Sequence, residues 1–213
     1  MSSLRQLVLI LAASGALVAT PALAQSARPA SAPAATATRP STAATYTIDP
    51  VHSELSFRIR HLLGRVAGTF GEWGGTVVVD TANPAASKVD VTVKTASIDT
   101  RVKPRDEHLR SPDFFAADSF PTITFRSTNV SVAGTQIRML GDLTIRGRTR
   151  PVLLTGSYEG RFKDPWGKMR TAFVATTTID RTDYGVSFNG PFQQIGQIGH
   201  DVWIEIAIEA VEQ

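Results

Sequence analysis

The stretch S-I-D-T-R-V-K-P-R-D-E-H-L-R-S-P-D-F-F-A-A-D-S-F-P-T-I-T-F, residues 97–125, holds the clearest helix signals in a sequence that otherwise alternates like β-structure. Pro104 suits a first helical turn, and Asp106 places negative charge near the helix N-terminus. Arg110 followed by Pro112 suits the helix end. The stretch therefore predicts one short helix between two strands.

A helix of about two turns is marginal in water on its own, so it needs an apolar surface on which to dock. Leu109, Phe114 and Phe115 are the side chains available for that docking. We therefore predict that the helix, residues 104–110, is a lid or plug on a β-barrel.

Period-two alternation on both sides of this stretch predicts antiparallel strands with one apolar face. Leu55, Phe57, Ile59 and His61 share one face of the first clear strand, so His61 is expected to point inward. Glycines between residues 64 and 75 predict a strongly bent hairpin. In all, the pattern predicts eight or nine strands of roughly 6 to 11 residues joined by short turns.

Consecutive antiparallel strands favour a meander, and closure into an up-and-down barrel removes the exposed edges. We therefore predict an all-β fold, an extended eight-stranded antiparallel barrel with a short α-helical insertion. Ser127, Gly141, Ala175 and Thr177 are small residues on inward faces. They indicate either tight strand crossing or an unfilled channel, and a fully packed barrel stays open as an alternative.

The N-terminal region predicts export. Arg5 precedes an apolar run, and Ala22-Leu23-Ala24 is typical of a signal peptidase site, so residues 1–24 are expected to be a signal peptide. A retained membrane anchor is the alternative. Residues 25–44 are predicted to be a disordered Ala/Pro/Thr linker, and residues 45–213 the folded domain. The expected localisation is the periplasm.

Composition excludes several classes of protein. The net charge of +3 is too small for a nucleic-acid argument, and the absence of cysteine excludes disulfides and an acylated cysteine. No nucleophile elbow, phosphate-binding glycine loop or paired-histidine zinc helix occurs in the sequence. The four histidines are not at ligand spacing, so only a metal site assembled by the fold stays open. We predict no catalytic residue, no metal and no cofactor.

The run Arg105-Asp106-Glu107-His108 allows three interpretations. It could be an acid/base pair, although no nucleophile or oxyanion site accompanies it. It could serve the helix dipole and bridge to the barrel rim. It could also contact the polar end of an amphiphile that emerges beneath the helix, and for that role Arg105 and His108 are the candidates.

Seven ordered segments resemble the YceI-like family of exported bacterial proteins. They are D-P-V-H-S-E-L-S-F-R-I-R-H (49–61), G-T-F-G-E-W-G-G (68–75), S-I-D-T-R (97–101), R-D-E-H-L-R-S-P-D-F-F (105–115), F-P-T-I-T-F-R-S (120–127), G-D-L-T-I-R-G-R-T-R-P-V (141–152) and I-D-R-T-D-Y-G (179–185). The resemblance implies an extended lipocalin-like barrel whose apolar channel binds polyisoprenoids or similar amphiphiles. It also implies a periplasmic protein and allows a homodimer.

The leading hypothesis is a carrier or sequestering protein for a long-chain isoprenoid, such as an isoprenoid quinone or a polyprenyl phosphate. No nucleic-acid partner and no stable membrane insertion of the mature chain are expected. The expected ligand contacts are Phe57, His61, Val91, Arg105, His108, Phe114, Phe125, Met139, Leu143, Phe173 and Phe188, with His61, Arg105 and His108 nearer the polar end.

Two other hypotheses stay open. One is a barrel enzyme acting on a hydrophobic substrate through His61 or the pair Asp106 and His108. The other is a packed interaction module that uses Trp166 and the 184–200 loop as its contact surface.

Overall fold

The structure, a computed structural model, describes residues 43–188 and 198–213. The expected signal peptide and nearly all of the expected linker lie outside these residues. The strands are β1 (Ala43–Ile48), β2 (Glu54–His61), β3 (Gly64–Phe70), β4 (Trp73–Asp80), β5 (Lys88–Lys94), β6 (Ile98–Asp99), β7 (Thr122–Ala133), β8 (Gln136–Ile145), β9 (Arg148–Lys163), β10 (Met169–Asp180) and β11 (Ile198–Glu212). The α-helix is α1 (Lys103–Arg110), and 3₁₀ turns span Pro84–Ala86, Thr95–Ser97 and Arg181–Tyr184.

These segments form a closed eight-stranded antiparallel barrel, as the sequence predicts. Three pairs of consecutive segments each act as one bent strand: β1 with β2, β3 with β4, and β5 with β6. Ile48 of β1 pairs with Ala210 of β11, and Glu54 of β2 pairs with Ala207 of the same strand. The barrel closes because β1 pairs with both β4 and β11.

The bends in the paired strands stay hydrogen-bonded, so the wall is continuous. The Gly71 amide donates to the Ser97 carbonyl (3.1 Å), and the Lys94 amide donates to the Glu72 carbonyl (2.8 Å). Each bend is therefore matched by a bend in the neighbouring strand. This is the strongly bent hairpin that the glycines between residues 64 and 75 predict.

Two features of the strands differ from the sequence-based prediction. β9 has 16 residues and β11 has 15, and β7 and β10 have 12 each, all longer than predicted, because strand pairing continues through polar residues. The register of β9 shifts opposite Ala172 and Phe173, so the alternation of inward and outward residues breaks there. Counting by two therefore does not identify the last residues of this strand. β1 also begins at Ala43, two residues inside the expected linker, and Tyr46 anchors it at 1% exposure.

Helix α1 lies at the barrel end where β2, β6 and β10 finish, and its neighbours close that end. Phe114 is buried, and its ring stacks on Phe188 at a centroid distance of 5.3 Å. Phe115 meets Phe70 edge to face at 6.1 Å, and Leu109 packs on the same apolar cluster. The helical segment is therefore a plug, which confirms the docking that its length and charge require.

No helix among residues 43–188 and 198–213 is long and apolar enough to cross a membrane.

An arginine on the outer wall holds the bend between β1 and β2. Arg170 donates from Nη1 to Asp49 Oδ2 (2.9 Å) and to Glu209 Oε1 (2.5 Å), and from Nε to Asp164 Oδ2 (3.0 Å). Hydrogen bonds to these carboxylates, with Asp164 the largest contributor, raise the pKa of Arg170 above its usual range. The guanidinium thus ties the first bend to β10 and β11.

We expect Asp49 to make stability depend on pH in acid. Hydrogen bonds from His52 and then Arg170 lower the pKa of Asp49 from 3.8 to about 2. A carboxyl whose pKa is lower in the folded state stabilises the fold above its unfolded pKa, and this contribution is lost as pH falls through the folded pKa. Between pH 3.8 and about 2 the unfolding temperature should therefore fall more steeply for the natural protein than for Asp49→Asn.

Asp118→Asn, at an exposed carboxyl on the segment after α1, is the control and should behave like the natural protein. Parallel curves for the natural protein and Asp49→Asn would contradict this role for the bend.

An apolar cavity inside the barrel as candidate functional site

The barrel encloses a cavity of about 380 Å³. This volume lies within the range of small-molecule sites, about 300 to 1,000 Å³. Its wall includes large apolar or aromatic side chains that face inward, namely Trp73, Phe125, Met139, Tyr158, Phe173 and Ile206. The barrel interior therefore contains an unfilled cavity, and the alternative prediction of a fully packed barrel is wrong.

The cavity is closed at the helix end and open at the other. Its lining at the helix end consists of buried residues, including Val93, Ile145 and Val152. At the opposite end the lining includes exposed Thr81 and Val132, the latter 42% exposed. The connection between β4 and β5 and the β7–β8 hairpin therefore form the mouth.

Small residues on β10 leave this channel open. Ala175 and Thr177 face inward and line the cavity, and both keep part of their surface accessible. The inward glycine on β8 has a different role, because the Phe125 ring lies across it, 2.4 Å from the position that a Cβ of Gly141 would take. The small residues that the sequence singles out thus serve both an unfilled channel and a close approach.

Five of the expected contact residues lie in the cavity wall: Val91, Phe125, Met139, Leu143 and Phe173. Each faces the barrel interior from its strand, as period-two alternation predicts.

Three expected aromatic contacts lie elsewhere. The Phe57 ring packs on Phe70 at 5.8 Å, beside Gly68, and Phe114 and Phe188 stack in the plug. These residues close the barrel end and do not line the cavity. Alternation assigns an inward face correctly, but it does not tell a cavity wall from a packed floor.

The expected polar end is also displaced. His61 is exposed at the end of β2, beyond the cavity lining. Arg105 donates from Nε to Thr100 Oγ1 (2.7 Å), and His108 Nε2 lies 2.9 Å from Asp113 Oδ2. All three residues are at the closed end and outside the cavity lining. Asp80, the charged residue of the lining, lies at the mouth with Thr81 and Ser87, whereas the hydroxyl groups of Thr124 and Thr177 lie deeper.

Sequence reasoning missed the wall that β4 contributes. Trp73, Val77 and Val79 all line the cavity from this strand. Counting by two from Trp73 through Gly75 would have assigned this inward face. Tyr158 was missed because the irregular register of β9 obscures its direction.

The charged residues of α1 hold the plug in place. Asp106 is buried and its Oδ1 accepts hydrogen bonds from the Thr100 amide (2.9 Å) and the Thr100 hydroxyl (2.5 Å). Arg110 donates from Nε to the Ala96 carbonyl (2.7 Å) and from Nη2 to the Ile98 carbonyl (2.8 Å). Helix α1 is thereby fastened to β6, which is the structural role left open for this run.

Replacing Asp106 with alanine should lower the free energy of unfolding by about 2 kcal/mol, because two buried donors of Thr100 lose their acceptor. Glu107→Ala is the matched control, since this exposed neighbour lies 4.0 Å from Lys103 and should change stability by less than about 0.5 kcal/mol. Urea unfolding of the two variants measures the difference. Equal losses would show that α1 is not held through Asp106.

One group within the described part of the chain has the composition of a metal site. Ligand atoms of Asp49, His52 and Glu209 lie within 4.8 Å of one another. Arg170 already donates a hydrogen bond to each of the two carboxylates. The group is therefore explained as an ion-pair network, and it is on the outer wall.

The chain is similar to known proteins over the whole barrel. The family model described as the YceI-like domain matches residues 46–210. Protein YceI of Shigella flexneri is 40% identical over 174 residues, covering 80% of this chain and 88% of that relative.

Solved structures share the fold. The crystal structure of BcnA from Burkholderia cenocepacia superposes with a TM-score of 0.69 at 22% identity, covering 76% of this chain and 98% of that one. A polyisoprenoid-binding domain from Saccharophagus degradans, implicated in plant cell wall breakdown, superposes with a TM-score of 0.60 at 14% identity, covering 79% and 98%. At these identities the likeness shows the barrel fold alone.

Proposed function

Because this chain belongs to the YceI-like domain family, we propose that it binds a long-chain isoprenoid or a similar amphiphilic lipid in its barrel cavity. The proposed role is transport or sequestration in the periplasm, with an isoprenoid quinone or a polyprenyl phosphate as the ligand class. The description of the Saccharophagus degradans domain as polyisoprenoid-binding supports this choice of lipid.

The observation that carries the proposal is an apolar cavity closed at one end. Its deep wall is mostly aliphatic, with side chains such as Leu143, Ile145 and Leu154, and the charged residue of its lining, Asp80, lies at the mouth. A site with this distribution favours a ligand with one long apolar part and one polar end. The chain of the ligand enters first and the head group stays near the mouth.

Burial of the chain supplies enough free energy for binding. About ten buried CH₂ groups contribute roughly 8 kcal/mol gross at about 0.8 kcal/mol each. Association costs reduce this figure, yet useful affinity does not require a strong polar contact. The head group therefore sets the direction of entry more than the affinity.

The positions of the titratable candidates favour binding over catalysis. His61 is exposed, Asp106 is engaged with Thr100, and His108 contacts Asp113 at the closed end. None of the three lines the cavity. A substrate inside the barrel would not contact them.

A titration with ubiquinones of increasing side-chain length tests the proposal. Trp73 lines the cavity, so a quinone that enters should quench its fluorescence. Each added isoprene unit should tighten binding by about tenfold or more until the cavity is filled. Ubiquinone without a side chain should bind weakly.

Trp73→Phe is the control for location. Most of the quenching should disappear in this variant, because Trp166 and Trp203 do not line the cavity. An affinity that does not depend on chain length would refute the proposal.

A further inference from the structure

The β9–β10 hairpin extends past the barrel rim at the mouth. Ser157 of β9 pairs with Gln136, the first residue of β8, yet β9 continues to Lys163, which pairs with Met169. The hairpin tip therefore projects beside the β7–β8 hairpin that borders the cavity. This is the end of the barrel at which the cavity opens.

The turn at the tip is held by hydrogen bonds to one side chain. Asp164 is buried, and its Oδ1 accepts hydrogen bonds from the amides of Trp166 (3.0 Å) and Lys168 (2.8 Å). Its Oδ2 accepts from Arg170 Nε, and this hydrogen bond is one of the causes that lower the pKa of Asp164. Asp164 therefore joins the backbone of the tip to Arg170 of β10.

The tip presents two large aromatic side chains to solvent. Trp166 is 83% exposed and Phe162 is 62% exposed. Single exposed apolar residues are ordinary, but two aromatic rings on a projecting hairpin form a surface with an energetic reason to be covered. Tryptophan favours the boundary between water and lipid because its ring is apolar and its N–H is polar.

Basic side chains surround these rings. Arg161, Lys163 and Lys168 are exposed on the hairpin, and Lys88 and Arg138 are exposed on neighbouring strands near the same rim. The acidic residues nearby are Glu159 and Glu212, together with the partly buried Asp49 and Glu209, which are bound to Arg170. A positive surface carrying exposed aromatic rings is complementary to anionic phospholipid head groups.

We propose that the hairpin tip, residues 161–168, docks the mouth of the barrel on a bilayer that contains anionic phospholipids. Phe162 and Trp166 enter the interfacial layer, while Arg161, Lys163 and Lys168 contact the head groups. If the proposed function holds, on which this part rests, the ligand passes between the bilayer and the cavity with little exposure to water. The docking itself does not require a ligand.

Binding to vesicles tests the proposal. The probes are phosphatidylcholine vesicles with and without phosphatidylglycerol, measured by co-sedimentation and by the emission wavelength of Trp166. The natural protein should bind only the anionic vesicles, and added salt should weaken this binding. The loss of each basic charge should weaken it about fivefold, so Lys163→Glu with Lys168→Glu should weaken it by at least about 25-fold.

Matched controls lie at the opposite end of the barrel. Leu63 is fully exposed on the β2–β3 turn, and Arg65 is exposed beside it. Leu63→Ala should leave vesicle binding unchanged where Trp166→Ala weakens it, and Arg65→Glu should have no more than a small effect. The proposal would be overturned if Leu63→Ala weakened vesicle binding as much as Trp166→Ala, or Arg65→Glu as much as the two lysine substitutions.

Two further outcomes would also overturn it. One is a natural protein that does not bind anionic vesicles, and the other is a hairpin that instead joins two copies of this chain, seen as a dimer that Trp166→Ala dissociates. Quinone titration without vesicles separates this proposal from the proposed function. A protein that binds ubiquinone but not anionic vesicles refutes the membrane docking alone. A protein that binds anionic vesicles but not ubiquinone refutes the lipid site in the cavity alone.

Discussion

Replacing Thr177 with tryptophan is expected to weaken isoprenoid binding by at least about 100-fold while the barrel stays folded. Thr177 faces inward from β10, pairs with Ile204 and lines the cavity. An indole at this position occupies space that the lipid chain needs. The expected loss follows from excluding about five CH₂ groups, each worth about 0.8 kcal/mol gross.

The next residue in the chain supplies the control. Thr178 faces outward opposite Trp203 and is exposed, so Thr178→Trp introduces the same side chain on the other face of the strand. Quinone titration of both variants, with urea unfolding to verify folding, separates blocking from damage. Equal affinities of Thr177→Trp and the natural protein would show that the ligand does not use this cavity.

Replacing Gly75 with alanine is expected to destabilise the barrel by about 3 kcal/mol, at the upper end for overpacking. A Cβ at Gly75 would lie 2.0 Å from the Asp90 carbonyl oxygen and 2.9 Å from Val91 Cα. Both atoms belong to the backbone of β5, so no side-chain rotation relieves the contact. To make room for the added methyl group, β4 and β5 must move apart at this position.

Gly74 is the matched control, because a Cβ there would meet no atom within 4 Å. Gly74→Ala should be neutral, or stabilising by about 0.5 kcal/mol through a smaller loss of backbone entropy on folding. Urea unfolding of the two variants measures the contrast. A small loss for Gly75→Ala would mean that β4 and β5 adjust their spacing more easily than a closed barrel permits.

Features that repeat along the chain were predictable from the sequence. Period-two alternation identified the antiparallel barrel, and the prolines and charges at the two helix ends identified α1. Alternation also assigned inward faces to Phe125, Leu143 and Phe173, which line the cavity. Each of these inferences depends on neighbours two to four residues apart, where local geometry decides the outcome.

The direction of the cavity was not predictable in the same way. Which barrel end is open depends on how Phe114, Phe115 and Phe188 pack together across long sequence separations. The charged run of α1 suggested a polar mouth, but Asp106 and Arg105 are engaged by Thr100 and hold the plug. The charges of a short helix therefore do not reveal from sequence whether they bind a ligand or hold the helix against the barrel.

The first and last parts of the fold illustrate the same limit. β1 was partly assigned to a linker because Ala43 and Ala44 carry no strand signal, and pairing with β4 makes them strand. The interaction-module hypothesis used the whole 184–200 loop, of which residues 189–197 lie outside the described residues. Trp166, the other part of that hypothesis, is exposed at the mouth.

Native mass spectrometry of the protein purified from its own producing cells tests the central claim most directly. We expect a protein–lipid complex in which one molecule with the mass of a long-chain isoprenoid or similar amphiphile is bound per chain. The same preparation of Thr177→Trp should be free of lipid, whereas Thr178→Trp should retain it. A natural protein that carries no lipid and takes up none when isoprenoids are added would contradict the account.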